Sequence, residues 1–109
     1  MSASQFRLTN LVAVIDRNRL QQGARTEETN ALDPLPERLR AFGWEVREVD
    51  GHDIGELLDV FTVRDRERPL AVVANTTKGK GVSFMEDRVE WHHKVPDPGE
   101  VTRALEELR

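Results

Sequence analysis

Two unbroken apolar runs stand out in a chain that otherwise mixes apolar and charged positions. The first starts at Leu11 and stops at Asp16, and the second starts at Leu70 and ends at Asn75. Runs of this length are typical of strands that are buried on both faces, as in a parallel sheet. They predict the first and third strands of a small sheet, with the third strand at its centre.

A helix is predicted between these runs. Asp33 and Pro34 resemble a helix cap followed by a first-turn proline. The apolar residues that follow are spaced i, i+4 and i+7, as on one helix face, and Gly43 is placed to end the helix; they are Leu35, Leu39 and Phe42. The polar residues 21–30 before it are predicted to be a loop, with a short helical turn starting at Thr26 as the alternative.

The middle of the chain again predicts a strand followed by a helix. Residues 44–49 alternate apolar and polar positions, which predicts a strand with one buried face, and residues 50–52 form a turn. Asp53 is predicted to cap a second helix whose inward face carries Ile54, Leu57, Leu58 and Phe61. Residues 64–69 are predicted to be a charged loop.

The two ends of the chain are simpler. Residues 1–9 form a polar lead-in, in which Phe6 and Leu8 are expected to pack at the foot of the first strand. Near the other end, Asp97 and Glu100 have the spacing of a capping box. They predict a last helix with Val101, Leu105 and Leu108 facing inward.

The alternation of strands and helices predicts an α/β fold with a small parallel sheet flanked by helices, in a single domain of residues 1–109. A parallel sheet needs cover on both faces, and this chain offers only three short helices for that purpose. We therefore expect the first and third strands to have neighbours supplied by a partner chain.

Composition narrows the class of protein. The chain has 109 residues, of which 38% are hydrophobic and 33% are charged, with a net charge of -4 and no cysteine. The negative charge argues against nucleic acid as the main partner, and the lack of cysteine excludes disulfides and thiolate metal sites. Neither a membrane-length apolar run nor a signal peptide is visible, so we expect a cytoplasmic protein with no membrane partner.

Candidate chemistry lies just after the first predicted strand. Ligands of parallel sheets bind beyond the carboxyl ends of the strands, which is where Asp16, Asn18 and the backbone at Leu20 are expected. Amide and carbonyl oxygens are hard ligands that suit Mg²⁺ or Ca²⁺. The alternative is a polar turn in which Asn18 supplies only the turn geometry.

Five segments in order resemble the transketolase-like thiamine-diphosphate enzymes. They are residues 10–23, 42–44, 50–53, 77–86 and 91–92, and they extend over nearly the whole chain from about Phe6. The nearest resemblance is to the diphosphate-binding subunit of the split transketolases. It implies a partial thiamine-diphosphate-binding fold that a partner chain completes.

The resemblance also implies roles for individual residues. It places Mg²⁺ on the Asn18 side chain and the Leu20 carbonyl, against the diphosphate of the cofactor, while Asp16 shapes the turn. The residues expected to contact thiamine diphosphate are Asn18, Leu20, Gln22, Lys80 and His92. Of these, His92 is the expected catalytic residue, since the family places a histidine here near the diphosphate and the donor substrate.

Other conspicuous residues admit simpler interpretations. The run from Lys78 to Gly81 lacks the Walker spacing, so it is either part of the loop covering the active site, with glycines for mobility, or a solvated basic loop. His93 stands where the family usually has glycine. His52 is interpreted as part of a turn, and Trp44 and Trp91 as core or interface residues.

The function implied by the resemblance is transfer of a two-carbon ketol unit from a ketose or keto donor to an aldehyde acceptor. The family's Gly-Asp-Gly half-motif, whose aspartate is a metal ligand, is missing here, and so is the pyrimidine-binding domain. Partner subunits are expected to supply both, and the chain alone is expected to be inactive. The alternatives are a component of another thiamine-diphosphate enzyme and a non-catalytic structural subunit.

Overall fold

The computed structural model describes residues 1–63 and 65–109, so Arg64, which opens the predicted charged loop, lies outside the described residues. The elements in chain order are α1 (Ser2–Gln5), β1 (Val12–Arg17), β2 (Leu20–Gln21), β3 (Ala24–Arg25), α2 (Thr26–Thr29), α3 (Leu35–Ala41), β4 (Glu45–Asp50), α4 (Ile54–Thr62), β5 (Leu70–Asn75), a 3₁₀-helix (Val89–His92) and α5 (Pro98–Glu107).

The chain divides into two compact units, each made of two separate segments. Unit 1 contains residues 1–17 and 32–76, and unit 2 contains residues 18–31 and 77–109. The chain therefore passes between the units three times. Unit 1 holds the parallel sheet, and unit 2 holds all the residues expected to contact metal or cofactor.

A three-stranded parallel sheet in the order β1-β5-β4 forms the centre of unit 1. The predicted central position of β5 is confirmed, and so is its burial on both faces, because Leu70, Ala71, Val72 and Val73 are all at most 2% exposed. We expected a partner chain to supply neighbouring strands for β5, and this expectation was wrong. Both of its edges are hydrogen-bonded within the chain.

The prediction for β1 was wrong in one respect. Val12 packs against the core that Leu70 and Val72 help to form, but Val14 is 54% exposed. An apolar run shows only that a strand is suited to burial on both faces, because the cover must come from other elements. The described residues leave part of this strand uncovered.

In β4 the apolar positions do not share a face. Val49 is buried in the core cluster, while Val46 lies three residues earlier and is half-buried. Side chains alternate faces along a strand, so an odd spacing of three places these two on opposite sides. The predicted strand is confirmed, and the single buried face is not.

Three predicted helix ends are confirmed. Asp53 accepts hydrogen bonds from Gly55 N at 2.7 Å and Glu56 N at 3.1 Å, which caps α4. Asp97 and Glu100 form the predicted capping box of α5. Gly43 follows α3 with φ +84°, the left-handed conformation that glycine adopts most readily.

The predicted start of α3 was wrong. The residue at the cap position is Pro34, with no side-chain capping bond, and the first-turn proline is Pro36. The Asp33 carboxylate instead pairs with Arg17 in β1, 3.2 Å from the Nη2 atom. This charge-assisted contact places the Asp33 side chain against β1.

Several apolar side chains predicted to face inward are exposed. In α4 the inward residues are Leu57 and Val60, while Ile54, Leu58 and Phe61 are 67%, 58% and 39% exposed. The same holds for all three apolar residues predicted to face inward in α5, and for Phe6, which is 73% exposed. Helical periodicity identifies an apolar face without identifying what covers it. Within residues 1–63 and 65–109, no helix has the length and apolar character required to cross a bilayer.

Candidate cofactor and metal site

A short turn directly after β1 carries the two predicted metal ligands. The half-buried Asn18 accepts a hydrogen bond from Leu20 N through Oδ1 at 3.0 Å, and Arg19 between them has φ +63°. Asn18 therefore supplies the turn geometry, as the alternative interpretation held. An amide oxygen has two lone pairs, so this bond does not prevent Oδ1 from serving as a metal ligand.

Leu20 begins a hairpin that the sequence interpretation missed. Strands β2 and β3 pair antiparallel, with Leu20 opposite Arg25, and the two-residue connection includes the exposed Gln22 at φ +27°. The sequence carried little signal for this hairpin, because the positive φ that tight hairpins need falls on Gln22 and not on the neighbouring Gly23. The predicted loop at residues 21–30 is thus a hairpin followed by a short helix, α2.

The start of α2 fixes the carbonyl between the two candidate ligands. Arg19 O accepts hydrogen bonds from Thr26 N at 2.9 Å and from Thr26 Oγ1 at 3.3 Å. Because these bonds occupy the Arg19 carbonyl, the candidate oxygen donors in the turn are Asn18 Oδ1 and Leu20 O. Helix formation from Thr26, the predicted alternative, is confirmed.

The glycine- and lysine-rich segment is folded tightly upon itself. Lys80 N donates to Thr77 O at 3.2 Å, and Asp87 N donates to Lys78 O at 3.0 Å. Gly79 has φ +72°, and a β-carbon there would lie 2.8 Å from backbone atoms of Met85. The glycine is thus required for a close backbone approach, whereas we expected it to provide mobility. The Lys80 side chain is exposed.

An ion pair joins the hairpin to this segment within unit 2. Arg25 Nη2 lies 2.5 Å from Asp87 Oδ2, across 62 positions of sequence. The hydrogen bond and the charge of Asp87 raise the pKa of Arg25 above its usual value. A pocket of about 340 Å³ opens beside the pair, lined by Leu20, Gly23, Ala24, Arg25, Glu28, Asp87, Arg88, Val89 and Glu90.

The 3₁₀-helix places the predicted catalytic histidine on the surface of unit 2. His92 is exposed, and its ring meets that of His93 edge-on with centroids 4.5 Å apart. Trp91 beside it is anchored, since its indole N–H donates to Phe84 O at 2.9 Å and Lys94 Nζ lies 4.1 Å from its ring centre. The tryptophan therefore holds the helix in place, consistent with its interpretation as a structural residue.

Two predicted turn residues lie in unit 1. Asp16 accepts a hydrogen bond from Thr76 Oγ1, so it ties the carboxyl ends of β1 and β5 together. His52 N donates to Asp50 Oδ1 at 2.8 Å within the turn before α4, in agreement with the structural interpretation of this histidine.

The metal-binding capacity of the chain is limited. The described residues contain no group of three His, Cys, Asp or Glu side chains arranged to hold a metal ion. Asn18 Oδ1 and Leu20 O are neutral oxygens, which suits a hard cation that takes its remaining ligands from phosphate oxygens and water. The donor set therefore fits Mg²⁺ accompanied by a diphosphate and does not fit a metal held by this chain alone.

Two carboxylates of helix α5 bind it to the rest of unit 2. Ser83 donates to Glu107 from its amide at 2.5 Å and from its hydroxyl at 2.9 Å, and these bonds lower the pKa of Glu107 below its usual 4.5. Lys94 acts similarly on Glu100, whose pKa is also lowered. A lowered pKa in the folded state means stabilisation that is present above pH 4.5 and is lost as the pH falls through the folded value.

We expect the contact between Glu107 and Ser83 to weaken below pH 4.5. The chemical shift of the Ser83 amide proton should follow a titration with its midpoint below 4.5, and Glu107→Gln should remove that titration. The neighbouring exposed Glu106→Gln is the control and should leave it in place. A Ser83 titration unchanged in Glu107→Gln would contradict the assignment.

Comparison with known proteins places these features in context. The sequence profile of the family described as "Transketolase, thiamine diphosphate binding domain" matches residues 1–107. An apulose-4-phosphate transketolase subunit of Actinobacillus succinogenes is 46% identical over 110 residues, covering 100% of this chain and 40% of the relative. The 6-deoxy-6-sulfo-D-fructose transketolase subunit SqwG of a Clostridium species is 39% identical over 95 residues, covering 85% of this chain and 34% of the relative.

A solved structure shows the same fold. The crystal structure of transketolase from Campylobacter jejuni matches with a TM-score of 0.85 and 23% identity, over 98% of this chain and 17% of that chain. The predicted α/β fold with a small parallel sheet flanked by helices is thereby confirmed. The chain spans about 40% of the length of the curated subunits it matches.

Proposed function

Because the chain belongs to the family of the transketolase thiamine-diphosphate-binding domain, we propose that it is one subunit of a split transketolase-like enzyme. The enzyme transfers a two-carbon ketol unit from a ketose or keto donor to an aldehyde acceptor. Two relatives are themselves named as single subunits of a transketolase, which favours this proposal over a non-catalytic structural role.

The observation that carries the proposal is the turn of residues 18–20. It presents an amide oxygen and a carbonyl oxygen immediately after the first strand of a parallel sheet, where such folds bind ligands. These two oxygens would hold Mg²⁺, which would bind the diphosphate of the cofactor. The cation offsets the phosphate charge at the point where the cofactor enters the protein.

Bound thiamine diphosphate supplies the electron sink that carbon–carbon bond cleavage beside a carbonyl requires. This chain contributes binding and orientation around that group. The exposed Lys80 ammonium and the Gln22 amide lie in unit 2 with the turn, and they would contact the cofactor. His92 donates a hydrogen bond to a phosphate oxygen or a substrate hydroxyl, as either ring nitrogen can when it carries a proton.

Other parts of the enzyme, including partner subunits, complete the site. The third protein ligand of Mg²⁺, on the Gly-Asp-Gly half-motif, and the pyrimidine-binding domain lie outside residues 1–109. The exposed apolar faces of α4 and α5 support such an assembly, because large apolar side chains grouped on one helix face commonly contact another protein. The chain alone is inactive.

The test is co-expression with candidate partner subunits, followed by titration of thiamine diphosphate with and without Mg²⁺. We expect saturable binding that requires both Mg²⁺ and the partners, together with ketol transfer between sugar substrates. A reconstituted complex that binds the cofactor equally well in EDTA would contradict the metal site. A complex that binds thiamine diphosphate but transfers no ketol unit would contradict the proposed reaction.

Replacement of His92 tests its contact with substrate. We expect His92→Ala to lower kcat/KM for the donor on the order of 100-fold, the usual contribution of one acid–base or hydrogen-bonding side chain. His52→Ala is the control, because His52 is also exposed but lies in the turn before α4. Equal kcat/KM values for the His92 and His52 variants would remove His92 from the active site.

A further inference from the structure

A charged side chain that the proposed function does not use lies at the base of the metal-binding segment. Arg17 is 4% exposed, the one buried polar or charged residue in the part of the chain that the structure describes. Its Nη2 lies 3.2 Å from Asp33 Oδ1, and the Asp33 side chain is 45% exposed. A buried cation needs compensating partners, and the Asp33 carboxylate is one of them.

The two partners stand at the two ends of one segment. Arg17 is the last residue before residues 18–31 leave unit 1, and Asp33 follows directly after the chain returns at Leu32. The ion pair therefore closes residues 18–32 into a loop that contains both candidate metal ligands. Each end of the loop makes a further hydrogen bond. Arg17 O accepts from Thr76 N at 3.4 Å, and Arg38 Nη2 donates to Asp33 O at 2.9 Å. The ion pair is therefore connected to the residue that follows β5 and to α3.

We propose that Asp33 is a positioning residue for the metal-binding turn, because it holds the Arg17 guanidinium and so closes the segment that carries Asn18 and Leu20. This inference rests on the proposed function of that turn. Asn18 follows Arg17 in the chain, so a shift of the Arg17 backbone moves Asn18, the first candidate metal ligand. Supporting residues of this kind commonly change metal affinity by about 10-fold to 100-fold.

The experiment compares Asp33→Asn with Asp33→Glu in the reconstituted complex, with Asp59→Asn on α4 as the control for loss of one exposed carboxylate. We expect the Mg²⁺ concentration for half-maximal binding of thiamine diphosphate to rise about tenfold in Asp33→Asn. It should recover most of the way in Asp33→Glu and stay unchanged in Asp59→Asn. At saturating Mg²⁺ the kcat of Asp33→Asn should match that of the unmodified complex.

Hydrogen exchange separates positioning from general damage. Amides of residues 18–32 should exchange faster in Asp33→Asn, while those of β5 should keep their protection. If this variant fails to fold, Arg17→Lys replaces it, because lysine keeps the charge and loses the planar fork that arginine offers a carboxylate.

Three outcomes would overturn the inference. An unchanged Mg²⁺ midpoint in Asp33→Asn, beside a raised midpoint in Asn18→Ala, would reject it and leave the proposed function standing. Faster exchange throughout β5 would reduce Asp33 to an ordinary stabilising residue. Metal-independent cofactor binding in the unmodified complex would overturn the inference together with the proposed metal site.

Discussion

Asn18→Ala is expected to lower the affinity of the reconstituted complex for thiamine diphosphate in Mg²⁺ by on the order of 100-fold or more. The substitution removes one of the two oxygens that this chain offers the metal, and a supporting residue alone can be worth about 10-fold to 100-fold. It also removes the acceptor of the 3.0 Å bond from Leu20 N, which loosens the second donor. Isothermal titration with the cofactor at fixed Mg²⁺ measures the change.

Two further variants separate the metal from the turn. Asn18→Asp keeps an oxygen for Leu20 N and adds a charge that Mg²⁺ accepts, so it should retain metal-dependent binding. Asn30→Ala changes an exposed asparagine at the end of α2, in the same unit, and should bind as the unmodified chain does. If Asn18→Ala binds with unchanged affinity, Asn18 is a turn residue only.

Gly79→Ala is expected to destabilise unit 2 by about 2–4 kcal/mol. A left-handed conformation costs a non-glycine residue of order 1 kcal/mol or more, and overpacking against a rigid neighbour typically adds about 1–3 kcal/mol. The β-carbon would lie 2.8 Å from the carbonyl carbon, carbonyl oxygen and Cβ of Met85. Since most of these are backbone atoms, no side-chain rotation relieves the contact.

The matched control is Gly23→Ala in the hairpin connection. A β-carbon at Gly23 meets no atom within 4 Å, and its φ is not left-handed. We expect its stability to be unchanged or raised by about 0.4–1 kcal/mol, because alanine restricts the unfolded chain. Thermal unfolding followed by the fluorescence of Trp91, in a Trp44→Phe background that leaves Trp91 as the remaining tryptophan, compares the two variants. Equal midpoints would mean that the segment around Gly79 can rearrange at little cost.

Local features were readily predicted from the sequence. Helix caps at Asp53 and Asp97, the end of α3 at Gly43 and the central strand β5 each depend on residues close together in the chain. A side-chain cap or a left-handed glycine is specified by a few neighbouring positions, so its physical cause is visible in the sequence. The family resemblance drew on similar short segments.

Features that depend on distant residues were not predictable. Asp33 has the local features of a helix cap. Only the fold shows that its carboxylate forms an ion pair with a buried arginine sixteen positions earlier. The pair of Arg25 and Asp87 spans 62 positions and leaves no pattern in the sequence. The exposure of Val14 and Leu58 likewise follows from which elements cover them, and no periodicity reports that.

The same distinction between local features and contacts of distant residues applies to the candidate site. The position of Asn18 and Leu20 after β1 was predicted, because a strand and the turn behind it are contiguous. The closure of their segment at its base was not, since it joins two places where the chain changes unit. The sequence therefore predicted the candidate donors, and the structure shows the ion pair at the two ends of their segment.

The interleaved layout of the two units has a consequence for folding order. The hairpin is complete by Arg25, yet its ionic partner Asp87 follows 62 positions later, after the last strand of the sheet. Contacts at such separations form late, because the loop entropy must be overcome before they stabilise anything. The sheet of unit 1 is complete at Asn75, so it can form before the ionic partner of the hairpin has been synthesised. The half that holds the candidate donor oxygens therefore completes its contacts after the sheet does.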